Sequence, residues 1–213
     1  HRDLHSFPTR RSSDLALMGQ CMAEQCVEHS KWKRLDVAPS DVRLAGAELE
    51  LVDVEDREYT LKGVLSKIKD LYDFIIVDCP PSLGILTLNA LAAADSVLIP
   101  IQCEYYALEG VTSLMNTVSR VRRSINTSLT IEGVLLTMLD GRTNLGLQVV
   151  DQVKKHFKKQ VYPVTIPRSV RLGEAPSHGE PIHIYDPKGA GAKAYMQLGE
   201  EVLKRNGIKV KKK

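Results

Sequence analysis

Apolar residues fall into two spacings along this chain. Over residues 58–71, Leu61, Val64, Leu65, Ile68 and Leu71 recur at helical intervals. Residues 74–78 (FIIVD) are a continuous apolar run closed by an acid, and Pro80 and Pro81 end it. Residues 83–93 read as a helix, and 96–101 (SVLIPI) as a second apolar strand. A long helix over 105–123 carries Leu108, Val111, Met115 and Val118 on one stripe, which continues to Ile125. A strand over 129–136 follows. The helix over 144–159 then buries Val149, Val150, Val153 and Phe157. The strand over 161–166 stops at Pro167, and the last helix covers 188–205. Between them, 167–187 reads as one long loop without periodicity. Upstream, 16–29 reads as the end of a helix, 33–38 as a short strand and 44–52 as a short helix.

Strands and helices alternate, and the strands are solidly apolar rather than alternating. That is the signature of an α/β fold: a doubly wound, mostly parallel sheet buried on both faces by helices. Ligands of such sheets sit at the carboxyl ends of the strands. The loops that begin at Asp78, Gln102, Thr137 and Pro167 are therefore expected to share one crevice. Residues 16–206 read as one domain with no dividing linker, followed by a basic tail over 207–213.

Composition adds exclusions. Of 213 residues, 43% are hydrophobic and only 5% aromatic, so the core is aliphatic. The net charge of +3 is too small to argue for nucleic acid by itself. Cys21, Cys26, Cys79 and Cys103 form no C-x-x-C pair and fit no zinc spacing. They read as reduced thiols, with Cys79 and Cys103 in the core near strand ends. No apolar run reaches the roughly 18 residues of a membrane span. Residues 1–15 (HRDLHSFPTRRSSDL) have neither period; they resemble a translated sequencing adapter and are expected to take no part in the fold. The alternative is a disordered arm with a basic patch at Arg10 and Arg11.

Asp78 carries the first chemistry. An acid at the end of a buried strand is costly unless something uses it, and Mg²⁺ of a bound triphosphate is one such use. The plainer role is a cap at a strand-to-loop turn. The surrounding FIIVDCPPSLGILTLNAL (74–91) resembles the Walker B and switch region of the ParA/Soj/MinD family of deviant P-loop ATPases. IPIQCEYYALEG (99–110), EGVLLTMLDGRTNLG (132–146) and IPRSVRLGEAPSHGEPIHIYDP (166–187) follow in the family's order. LDVAPSDVRLAGAELELV (35–52) fits the Soj-type branch, so the resemblance spans roughly 16–206.

The resemblance implies an ATP hydrolase for chromosome or plasmid partitioning, with ATP and Mg²⁺ as cofactors. It implies a homodimer with ATP, nonspecific binding to double-stranded DNA, and a ParB-type partner that stimulates hydrolysis. The setting it implies is cytoplasmic and nucleoid-associated. Asp78 would hold Mg²⁺ through water. Pro167 and Arg168 would lie beside the adenine, with Thr137 and Met138 on the neighbouring strand end. Arg142 and Arg171 would contact DNA phosphates, as a bidentate arginine fork does well. Lys154, Lys155, Lys158 and Lys159 either join them or form a solvated helix face. Glu104 suits the positive end of a helix dipole or the dimer face, and His178 reads as a structural hydrogen-bonder.

One departure stands out. The family's Gly-rich phosphate loop and its first βαβ segment are not among these residues, and Gly189 to Lys193 follow no strand. The chain as written is expected neither to bind ATP nor to fold stably. Two rival readings are a MinD-like membrane-associated regulator of division-site placement and a non-enzymatic DNA-binding fragment. In the tail only Ile208 and Val210 are apolar, which suits a solvated arm better than a membrane-docking helix.

Overall fold

The computed structural model describes residues 16–40, 43–80, 82, 84–104 and 107–209. The reading of residues 1–15, and those of Pro81, Leu83, Tyr105 and Val210, lie outside them. The chain divides into two compact units, one of residues 1–95 with 117–129, the other of 96–116 with 130–213.

In the first unit, β1 (Glu28–His29) pairs antiparallel with β2 (Asp36–Val37), registering Glu28 with Val37. The expected strand over 33–38 is thus only two residues long. Of the helix end expected over 16–29, Ala16 and Leu17 are helical, and a turn, a short 3-10 stretch (Ala23–Cys26) and β1 take up the rest. Helices α1 (Arg43–Glu50), α2 (Thr60–Leu65) and α3 (Ile85–Ala93) follow. Leu17, Ala47 and Leu51 form one buried cluster of this unit, with Leu44, Leu61, Ile85 and Leu86 against it. Asn89 is buried on α3 but fully used: its side chain accepts from the Leu61 amide at 2.9 Å and donates to the Arg57 carbonyl at 2.8 Å.

Residues 74–78 correct the strand expectation. They are extended, but they pair with no strand among the described residues, and all five are exposed. Ile76 is 91% exposed. A strand is made by its ladder, and an apolar run without a neighbour to bond has no sheet to join.

In the second unit, β3 (Ser96–Gln102), β4 (Thr130–Leu139) and β5 (Val161–Pro167) form a parallel sheet in that order. Helix α4 (Ala107–Ser124) follows β3, α5 (Asn144–Phe157) joins β4 to β5, and α6 (Val170–Glu174), α7 (Ile182–Tyr185) and α8 (Ala190–Arg205) follow β5. One sheet face packs Ile99, Ile101, Val134 and Leu136 against Val111 of α4 and Val149, Val153 and Phe157 of α5. The other packs Leu135, Tyr162 and Ile166 against Ala194, Leu198 and Val202 of α8. Burial on both faces explains the unbroken apolar runs. The loop expected over 167–187 is instead folded, holding α6, a 3-10 stretch (Ala175–His178) and α7.

At the amino end of this sheet Gly133 has no room for a side chain: a Cβ there would meet the Arg205 guanidinium and the Tyr162 ring at 2.5 Å. Arg205 lies over that ring, 3.8 Å from its centroid, and donates to the Glu132 carbonyl at 2.9 Å. Tyr162 and Asn206 both donate to the Glu132 carboxylate at 3.2 Å. This network fastens α8 to the strands.

Candidate nucleotide and phosphate site

The carboxyl ends of β3, β4 and β5 come together through backbone pairing. Gln102 registers with Thr137, and Leu139 with Pro167. Between them the register shifts, and Met138 takes a left-handed φ of 53°. On the β3 side, the Thr137 carbonyl accepts from the Cys103 amide at 2.9 Å. The Leu139 carbonyl accepts from the Arg168 amide, also at 2.9 Å. Thr137, Met138, Pro167 and Arg168 are therefore neighbours, as expected. Met138 is 40% exposed, so its thioether is open to solvent. Of the expected crevice, the Gln102, Thr137 and Pro167 loops meet here; Asp78 belongs to the first unit.

The charged groups are paired. Glu104 forms an ion pair with Arg168. Glu104 stands just before α4. Asp140 accepts from Arg142 three times: from its amide at 3.1 Å, from Nε at 2.9 Å and from Nη2 at 2.7 Å. These bonds, with the charge of Arg168 nearby, hold the Asp140 carboxyl well below the usual carboxylate range. Arg171 on α6 donates to Glu174 at 3.0 Å, and the Tyr185 hydroxyl donates to the same oxygen at 3.0 Å. The ring of His178 stacks on Tyr185 at 4.9 Å, replacing the hydrogen-bonding role expected of it.

The turn that carries Arg142 is built locally. The Asp140 carbonyl accepts from the Thr143 amide at 3.1 Å and from its hydroxyl at 3.0 Å. Thr143 then caps α5 by accepting from the Gly146 amide at 3.3 Å. Arg142 thus projects from a closed turn just beyond β4, and Arg171 from a short helix just beyond β5. Lys154, Lys155, Lys158 and Lys159 are exposed on and after the last turn of α5, with Lys155 bonded to Asp151 at 2.7 Å.

Asp78 in the first unit is exposed, as is Cys79, which corrects the core position expected for that thiol. Cys103 is buried, as expected. The Cys21 and Cys26 sulfurs lie 2.6 Å apart, a proximity their spacing did not announce. Among the described residues no group of three or more His, Cys, Asp or Glu side chains could hold a metal by itself. A lone carboxylate suits Mg²⁺ all the same, since that ion keeps several waters and takes the rest of its shell from phosphates. The described residues also include no helix long and apolar enough to cross a membrane.

Sequence reasoning missed Asp140, Glu104 and Glu174 as partners of the arginines. Each lies within a few residues of an arginine or beside a strand end, and an Asp two residues before an Arg in a turn was the readable signal for Asp140.

A family model described as an AAA domain matches residues 7–131. The chain is 61% identical over 170 residues to the sporulation initiation inhibitor protein Soj of Bacillus subtilis, covering 80% of this chain and 67% of that protein. It is 50% identical over 191 residues to the chromosome-partitioning ATPase Soj of Treponema pallidum, covering 90% and 76%. Among solved structures, it resembles a cobyrinic acid a,c-diamide synthase from Mycobacterium smegmatis with bound ATP analogue and magnesium. That match has a TM-score of 0.79 and 32% identity, over 92% of this chain and 73% of the other.

Proposed function

This chain belongs to the ParA/Soj family of partitioning ATPases, and from that premise we propose that the full-length protein carrying it serves as the ATP-driven, DNA-binding switch of a partitioning system. The observation that carries the reading is its 61% identity to a Soj protein. The strand ends support it, because the four residues expected at the adenine are neighbours across β4 and β5.

The reaction is attack of water on the γ-phosphate of ATP. Asp78 would help to hold Mg²⁺, which when bound would supply positive charge against the phosphate oxygens. Met138 and Pro167 offer apolar surface to the base, while Thr137 and Arg168 fix the strand ends that carry them. Arg168 is itself held by Glu104. ATP brings two copies together, and Arg142 and Arg171 then bind duplex DNA through phosphates without reading sequence. A ParB-type partner stimulates hydrolysis and release. The protein works in the cytoplasm, on the nucleoid. A MinD-like membrane role has no support in the described residues of the tail, where Gly207 breaks the helix after Arg205.

The test is Asp78→Asn in a phosphate-release assay with Mg²⁺. Hydrolysis should fall about a hundredfold, the scale on which one charge-stabilising group is felt. Undiminished hydrolysis would remove Asp78 from the site.

A further inference from the structure

We propose that Asp140 is a built-in competitor for Arg142, which lowers the affinity of this surface for phosphate. The inference rests on the reading of Arg142 as a DNA contact and goes beyond it.

The geometry is specific. An arginine has two edges suited to bidentate donation, and the Nε/Nη2 edge of Arg142 is already taken by the two oxygens of Asp140, at 2.9 and 2.7 Å. The arginine side chain is 89% exposed, whereas that of Asp140 is 24% exposed. The acid is therefore the fixed partner, anchored by the turn at its own carbonyl and by the Arg142 amide at its carboxylate. Phosphate must either displace a carboxylate from the occupied edge or take the remaining one with an anion close behind. Both routes weaken the contact, the second by like-charge repulsion.

The acid also faces Arg168, whose charge contributes to holding it ionised. Arg168 is in turn paired with Glu104. The cluster Glu104, Arg168, Asp140 and Arg142 is thus two cations and two anions, neutral overall, on a surface proposed to meet a polyanion. Neutrality there favours release, which a switch that must let go of DNA requires.

Asp140→Asn tests this directly. Asparagine keeps the oxygen that accepts from the Arg142 amide and the turn's backbone bonds, but removes the charge. Binding of the full-length, ATP-loaded protein to a duplex of random sequence is measured across a salt series. Asp140→Asn should bind severalfold more tightly, and the salt dependence should steepen by up to about 0.9 in log–log slope, the amount for one more phosphate neutralised. In an Arg142→Ala background the same change should give little gain, since the competitor then has nothing to compete for. Equal or weaker binding by Asp140→Asn, with its melting temperature kept, overturns the proposal. A full gain in the Arg142→Ala background overturns it too, showing only a general charge effect. If Arg142→Ala alone binds DNA as the parent does, the DNA reading of Arg142 itself has failed, and that result is distinct from the other two.

Discussion

Single residues set the geometry at both ends of the sheet. At the carboxyl end, Met138 holds a φ of 53°, where a side chain costs about 1 kcal/mol or more. The strain has a visible return, since the register shift it creates lets Leu139 receive the Arg168 amide. Met138→Gly should therefore melt no lower than the parent, because glycine enters this region freely and little burial is given up. A β-branched Met138→Val should melt several degrees lower, and calorimetry on the pair decides whether the strain is real. At the amino end, Gly133 serves the opposite purpose: its missing side chain is the space that Arg205 and Tyr162 occupy.

At the scale of elements, α8 is tied to β5 through Tyr162 and to β4 through Glu132. Burial, and then the Glu132 charge, push the Tyr162 hydroxyl up to about 12. A folded-state value above the unfolded one favours the fold while the phenol keeps its proton. That contribution is complete below about 10 and is lost as pH rises through about 12. Melting temperatures should fall more steeply across this alkaline window for the parent than for Tyr162→Phe, which has no proton to lose.

The same scale shows what could be read beforehand. The second unit's three strands and its helices α5 and α8 were legible because each buries a continuous face within that unit. Residues 74–78 were not, because hydrophobicity specifies that a segment wants neighbours but not that they are present. The helices over 167–187 were hidden because α6 and α7 are five and four residues long, too short for a period to show. The site was half legible: the residues at the strand ends follow from the apolar runs, but the acids that occupy its arginines depend on turn geometry.

For the whole molecule, the proposed switch predicts a salt signature. Arg142 and Arg171 leave the ends of adjacent strands, on short rigid supports. Replacing both with alanine should weaken DNA retention and flatten its salt dependence by about 0.9 for each phosphate no longer neutralised. A slope unchanged in the double variant would move the DNA surface elsewhere, with the exposed lysines near the end of α5 next in line.

The fastening of α8 has a consequence for synthesis. The Glu132 carbonyl finds its donor in Arg205, 73 positions later in the chain. At ribosomal speeds, about 5–20 residues per second, that is an interval of roughly 4–15 s. Throughout it Leu135 of β4 waits for α8, and Tyr162 and Ile166 of β5 join it uncovered once they are made. Chaperones that hold apolar segments have their longest opportunity in the later part of that interval.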